Sequence, residues 1–385
     1  MREVAVVGIG QTPIKEHWSK SLRELAGEAA FSAMQDANIN SIDGLYVGNM
    51  MSGSANHQQQ LGAYIADWIG MNFIEGLKIE SACSSSSAAF RTAVMAVASG
   101  EINTAIALGV EKMTDSPGGE ITSELATAAD ADWEVDYGIS FVALNALIMQ
   151  RYLYEYGWSK ESFAQFAINA HDNGVHNSNA RFQKAISYDQ YIKSPVISDP
   201  ITLLDASPIG DGAAAVVIVP KEKLNKTNNP IVKVIASSAA TDTISVHNRK
   251  DPLWLTAAEK SSKAAYAQCG IEPNDIDIFE AHDAFTIMAC LSLEACGFAE
   301  RGKGPKLAID GEIKLDGKIP ISTFGGLKSR GHPVGATGLY QICEIVKQLK
   351  GNAGNTQVKN AKIGMTQNIG GSGSNIITHI FKSEN

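Results

Sequence analysis

Two short stretches of this chain place reactive side chains where helices are expected to begin. Residues 331–338 read Gly-His-Pro-Val-Gly-Ala-Thr-Gly, with His332 held between a glycine and a proline and followed by small residues that let another group come close. Residues 81–87 read Ser-Ala-Cys-Ser-Ser-Ser-Ser, with Cys83 following an apolar run and opening a helix-like stretch. A helix start offers free N–H groups and the positive end of the helix dipole, and both stabilise a thiolate. An imidazole can take the thiol proton and hold the ion pair, which is what a cysteine nucleophile requires. The chemistry expected is attack by the Cys83 sulfur on an electrophilic carbon, with His332 as its activating base. The serines that follow Cys83 are small and polar and are expected to leave the sulfur accessible. Cys269, Cys290, Cys296 and Cys343 are expected to be inert core residues.

These side chains sit in a pattern that repeats. In the first half, 77–80 is a short strand, Cys83 follows, and 84–99 is a small-residue helix. In the second half, 319–322 is a short strand, a glycine-rich turn carries His332, and 335–349 is a helix. Other segments pair in the same order: 42–48 (IDGLYVG) with 276–281 (IDIFEA), and 104–109 (TAIALG) with 361–367 (AKIGMTQ). An apolar strand closes each half, 213–219 and 375–381. Strands alternating with helices imply mixed or parallel sheets covered by helices. By this symmetry His332 stands at the helix start equivalent to that of Cys83. Two such starts facing each other bring sulfur and imidazole together.

The pattern breaks at about 114–204, roughly 90 residues that are too long for an ordinary loop. It carries Ser-Pro-Gly-Gly at 116–119, an acidic stretch at 130–136, and a strong helix candidate at 141–156. A second helix follows Ser159, whose Ser-x-x-Ser start suits a cap, and 173–179 is polar and turn-like. It is expected to be a loop subdomain lying over the active site. The halves are expected to span 1–225 and 226–385, with the linker in 221–230.

Two further motifs follow strands. Residues 280–285 read Glu-Ala-His-Asp-Ala-Phe, and 368–373 read Asn-Ile-Gly-Gly-Ser-Gly. His282, if functional, is expected to be a donor to a developing oxyanion, direct or through water. Gly8-Ile9-Gly10 is not a dinucleotide fingerprint, because Pro13 holds the third-glycine position. Cys290 and Cys296 lack zinc-finger spacing, and no metal is expected.

Together these motifs resemble the thiolase superfamily, over essentially the whole chain and in the family's order. The resemblance implies a thiolase fold of class α/β: two pseudo-symmetric βαβαβαββ halves in an α/β/α/β/α core, with the inserted loop subdomain. Cys83 falls on the family's nucleophile and His332 on its activating histidine. His-Asp-Ala-Phe at 282–285 is similar to the HDCF motif of sterol-carrier-protein-x-type thiolases, with Ala284 in place of cysteine. Gly370 fits the oxyanion-hole role that the family gives it, beside the backbone N–H of Cys83. Asn368 stands where many thiolases carry their second acid/base cysteine. Both places for that cysteine are therefore empty, and the set Cys83, His282, His332 resembles the Cys-His-His set of ketoacyl synthases. The base for the α-proton stays open between His332 and His282, with Asp283, Cys290 or a residue of the loop subdomain behind them. The Gly-Val-Glu-Lys-Met stretch at 109–113 and the Ser-Pro-Ile-Gly-Asp-Gly stretch at 207–212 also match the family and are expected to be structural.

The activity implied is acetyl-CoA C-acetyltransferase, condensing two acetyl-CoA to acetoacetyl-CoA and CoA through an acetyl-Cys83 intermediate. The chain looks most like archaeal-type thiolases, which implies the first step of mevalonate synthesis and a complex with hydroxymethylglutaryl-CoA synthase and a small zinc-ribbon/OB-fold protein. The absence of an appended sterol-carrier domain favours this over breakdown. A degradative 3-ketoacyl-CoA thiolase for longer chains, or a non-catalytic thiolase-fold scaffold subunit, are the alternatives. No cofactor is expected beyond coenzyme A thioesters as substrates. A homodimer or dimer of dimers is expected, paired through the first-half sheet around the strand 105–109.

Composition agrees with an enzyme of this kind. The chain has 385 residues, 44% hydrophobic and 19% charged, enough for one large core or two ordinary ones. The net charge of −9 with scattered lysines excludes a phosphate-backbone binder. No stretch reaches the ~18 apolar residues of a membrane span. The start lacks a secretion-type apolar region, and five cysteines without framework spacing suit a reducing cytosol, so a cytoplasmic location is expected.

Overall fold

A computed structural model describes residues 2–224 and 230–384. The boundary expected between 225 and 226, and half of the linker, lie outside the described residues. The first half runs β1 (Val4–Gln11), α1 (Leu22–Asp36), β2 (Gly44–Gly48), α2 (Leu61–Trp68), β3 (Glu75–Ile79), α3 (Ser85–Ser99) and β4 (Ala105–Glu111). The insertion then contributes α4 (Gly118–Ala126), α5 (Phe141–Tyr156), α6 (Ala164–Gly174), α7 (Tyr188–Ile192) and a small hairpin, β5 (Val196–Ser198) and β6 (Ile201–Thr202). β7 (Gly212–Pro220) returns to the main sheet. The second half runs β8 (Ile231–Thr241), α8 (Thr256–Cys269), β9 (Ile278–Glu280), α9 (Thr286–Ala295), α10 (Gly304–Ile309), α11 (Thr337–Leu349), β10 (Ile363–Gly370) and β11 (Asn375–Glu384).

The main sheet has the order β3-β2-β4-β7-β1-β8-β11-β10-β9. Outward from the β1–β8 joint, the first half reads β7, β4, β2, β3 and the second reads β11, β10, β9. The counterpart of β3 is 319–322, reduced to a single parallel bridge between Phe279 and Ile321. The repeat visible in the sequence is therefore a repeat of sheet topology. It does not produce two separate sheets, because Val4, Ala5 and Val6 pair with Val234, Lys233 and Val232.

β4 and β7 are buried along their whole length, so both faces of the sheet are covered there. Their near-continuous small and apolar sequences, AIALGVE and GAAAVVIVP, suit that position. One set of β4 and β7 side chains packs in a cluster with α1 and α2, and the other packs with α3 and α11. α3 and α11 touch each other and reach strands of both halves, so they form the middle layer. Gly109 permits this: a Cβ there would lie 2.7 Å from Ser86 Cβ and 2.8 Å from Ala336 Cα, the starts of both central helices.

Two expectations need correction. β4 is an interior strand, paired with β2 on one side and β7 on the other, so 105–109 has no free edge for a second subunit. The edge strand of the first half is β3, which leaves Leu77 exposed and follows the fully exposed Phe73. The insertion carries the expected helix at Phe141–Tyr156 and the second one after Ser159, but the polar stretch 173–179 begins inside that second helix. Asn173 belongs to α6, and Asn169, Asn173 and Asn177 share one face and donate to the carbonyls of Ile321, Ser322 and Phe324 at 2.9–3.1 Å. That ladder docks the insertion onto the segment leading to His332. Ser159 precedes a 3-10 turn, but its hydroxyl meets that of Ser162 rather than a backbone N–H. Among the described residues no helix is long and apolar enough to cross a membrane.

Candidate active site

β3 ends at Ile79, and a sharp turn aims Cys83 into a cavity of about 230 Å³. Ala82 has φ +49°, in the left-handed region that costs a non-glycine residue about 1–2 kcal/mol. Its N–H is held by the Glu80 carboxylate at 2.5 Å. A 3-10 turn over Ala82–Ser84 then leads into α3. Cys83 stays partly exposed at the cavity, as expected, while the serines themselves are absent from its lining. Ser84 to Ser87 are fully buried, and the hydroxyls of Ser84 and Ser85 donate back to Ser81 O and Ala82 O. Ser86 Oγ accepts from Leu339 N at 3.1 Å, joining the starts of α3 and α11. Their small size serves helix packing.

His332 lies just before the corresponding 3-10 turn, Val334–Ala336. Aligning the two turns puts Gly335, not His332, at the counterpart of Cys83. The histidine reaches the site from the approach to the helix. His332 N donates to Pro208 O at 3.0 Å, and its Nδ1 is 2.7 Å from Thr337 Oγ1. His282 follows β9, and its Nδ1 is 2.8 Å from the Asn368 amide nitrogen. The two imidazoles stand edge to face, centroids 5.1 Å apart at 85°. Both line the cavity with Cys83.

Electrostatics differ from the expected thiolate. Burial, and then the Glu111 carboxylate, push the Cys83 thiol up to about 12, against its own N–H and that of Gly371, which favour the anion. A helix start contributes at most about 2 kcal/mol, too little against desolvation of a buried charge. Burial, aided by the Arg330 guanidinium, lowers His332 to about 3. His282 falls well below its ordinary value through burial, then His332, then Arg330. Arg330 is fully buried and paired with the buried Glu344. The resting pair is thus a neutral thiol and neutral imidazole.

The other candidates fall in different places. Gly370 ends β10 opposite Asn375, and the residue that lines the cavity is Gly371. Ala284 lines the cavity and has no proton to give. Cys290 is buried on α9, where its sulfur lies 3.6 Å from Glu294, away from the cavity lining. Asp283 accepts from Ser322 Oγ and Leu327 N and is likewise not in the lining. The insertion forms one wall through Thr122, Leu125, Ser140, Phe141, Val142 and Asn145. Two stretches assigned only to structure reach the site as well: Ser207 and Ile209 line it, and Glu111 sits behind Cys83. A charged residue ending an otherwise apolar strand was the available signal for Glu111.

Residues 4–222 match the family model "Thiolase, N-terminal domain", and 238–383 match "Thiolase C-terminal domain-like". The acetyl-CoA acetyltransferase of Methanothermobacter thermautotrophicus is 42% identical over 99% of this chain and 100% of its own. That of Methanocaldococcus jannaschii is 38% identical over 100% of both. The solved structure described as an Ltp2-ChsH2(DUF35) aldolase shares the fold, with a TM-score of 0.87 at 22% identity over 99% of this chain and 98% of that one. With both halves matched in order and close relatives aligned from end to end, the chain belongs to the thiolase family.

Proposed function

We propose that this thiolase is an acetyl-CoA C-acetyltransferase that makes acetoacetyl-CoA. One observation carries the reading: Cys83, His282 and His332 line a single cavity. The two acetyl-CoA acetyltransferases similar to it along their full length support the choice of substrate. Nε2 of His332 takes the thiol proton as sulfur attacks the acetyl carbonyl. The N–H groups of Cys83 and Gly371 receive the oxyanion. CoA leaves as its thiolate and takes the proton from His332. A second acetyl-CoA then loses an α-proton to a base of the cavity, its enolate carbon bonds to the acetyl carbonyl carbon as the C–S bond to Cys83 breaks, and the leaving thiolate takes that proton up.

A high resting thiol pKa fits this order, because the thiolate need exist only while substrate is bound. The same reading places the enzyme in the cytoplasm at the first step of mevalonate synthesis, as a homodimer joined through the β3 edge. A complex with hydroxymethylglutaryl-CoA synthase and a small zinc-ribbon/OB-fold protein rests on resemblance. The test is intact-protein mass spectrometry after mixing with acetyl-CoA. A 1:1 acetyl adduct that disappears in Cys83→Ala is expected. No adduct in the folded wild type would favour a scaffold subunit, and preference for long 3-ketoacyl-CoA over acetoacetyl-CoA would favour a degradative enzyme.

A further inference from the structure

Asn368 cannot carry a proton, yet it holds the side chain that faces the reacting atoms. It is fully buried in β10, opposite Ile377 of β11, so its position is set by the ladder. Its amide nitrogen lies 2.8 Å from His282 Nδ1. An amide NH2 only donates, so Nδ1 must hold a lone pair. A neutral ring then carries its proton on Nε2. The carbonyl end of the amide lies toward the first turn of α3. Asn368 Oδ1, Ser87 Oγ and Ser87 N all come within 2.8 Å of the point that a Cβ on residue 338 would occupy. No N–H reaches Oδ1 there, since it is buried without a hydrogen-bond partner among the described residues, so the start of α3 favours an oxygen at that point only through the positive end of the helix dipole.

His332 has a different partner. The Thr337 hydroxyl, 2.7 Å from its Nδ1, can donate or accept by rotating. It satisfies both the neutral ring and the imidazolium. Protonating His282 would instead set N–H against N–H in a buried site. Cys83 shares the cavity with His282 as a neutral thiol, and the two groups that act on the charge of His282, His332 and Arg330, both oppose it.

We infer that Asn368 is a positioning residue that fixes His282 as a permanent Nε2–H donor, leaving His332 to carry the protons of both half-reactions. This rests on the thiolase reading above. In condensation, the C–H proton of the second acetyl-CoA passes to His332 Nε2 while the enolate oxygen accepts from His282 Nε2–H. The enolate carbon bonds to the acetyl carbonyl carbon, the C–S bond to Cys83 breaks, and the leaving thiolate takes the proton back from His332. The balance needs no further acid or base.

The first test does not use activity. In full-length protein labelled with [15N]histidine, with His282 assigned by its loss in His282→Gln, a bare Nδ1 and a protonated Nε2 are expected. A protonated Nδ1 overturns the inference. The second test is Asn368→Asp, nearly isosteric but an acceptor. Above the imidazolium pKa that variant holds His282 as the Nδ1–H form, with a bare Nε2. The ratio of acetoacetyl-CoA formation to burst acetylation of Cys83 should then fall as pH rises from 6 to 9, by about 10²-fold for one lost oxyanion donor. The wild-type ratio should hold. If His282 were the base, the freed Nε2 would raise the ratio, and a flat or rising ratio overturns the inference. Should the wild type form no acetyl-Cys83, the thiolase reading fails, while the nitrogen shifts still decide the role of Asn368.

Discussion

Replacing Glu111 with glutamine should make the protein progressively more stable, relative to wild type, as pH rises. Glu111 is fully buried at the end of β4, where its carboxylate accepts from Met50 N and Met51 N. Burial raises its pKa from 4.5 to about 8. The folded chain therefore keeps a proton that the unfolded chain has released between those values. The wild type loses stability as pH climbs through that window and loses no more above it. From pH 5.5 to 8 the span is about 2.5 pH units, and at 1.36 kcal/mol each the loss is about 3.4 kcal/mol. Glutamine keeps an acceptor oxygen and does not ionise, so it escapes that loss. Its extra donors among backbone N–H groups add a penalty that is the same at every pH. The assay is urea unfolding followed by tryptophan fluorescence at a fixed protein concentration, at half-unit steps from pH 5.5 to 9. The difference between the two proteins should widen to pH 8 and then level. A constant difference would refute the reasoning, because Glu111 would then be ionised in the fold. The same substitution removes a negative charge near sulfur, so iodoacetamide should alkylate Cys83 faster in the variant above pH 8.

Three further outcomes follow from the geometry. Burial holds His332 at about 3, so burst acetylation should show no acid limb near pH 6.5, and rapid-quench rates from pH 5 to 8 that reveal one would contradict a neutral resting imidazole. In Gly338→Ala the new Cβ would stand 2.4 Å from Ser87 Oγ and 2.8 Å from Ser87 N, at the contact of α3 and α11. Overpacking there should cost about 1–3 kcal/mol in denaturant unfolding, and an unchanged midpoint would mean that the helices separate without cost. Leu77→Glu, on the exposed edge strand β3, should convert a dimer to monomer in light scattering, whereas a dimer that survives must use another face.

Much of this molecule could be read from short stretches. The helix at Phe141–Tyr156 announces itself through composition, with Ser140 as cap and Gly157 as stop. The paired strand–helix segments of the two halves keep their small and apolar residues in the same order, because each must lie flat on its sheet. Cys83 and His332 stand out since a reactive side chain among small residues before a helix has few structural uses. The ends of single elements were less legible, as with β9, where only Ile278–Glu280 of 276–281 is strand.

What local sequence determined, then, was which elements form and which side chains they offer to the cavity. What those side chains are chemically was decided by neighbours that arrive from distant parts of the chain. The Cys83 thiol is raised by burial and by Glu111 from β4, so a helix start that would favour a thiolate in water holds a neutral thiol here. Asn368 meets His282 only because β10 runs parallel to β9, with Thr366 beside Glu280. Strand order made β4 interior and β3 the edge, and a hydrophobic strand reads alike in either place. Local pattern records periodicity and side-chain type, whereas desolvation, charge pairing and sheet order depend on contacts between residues far apart in sequence.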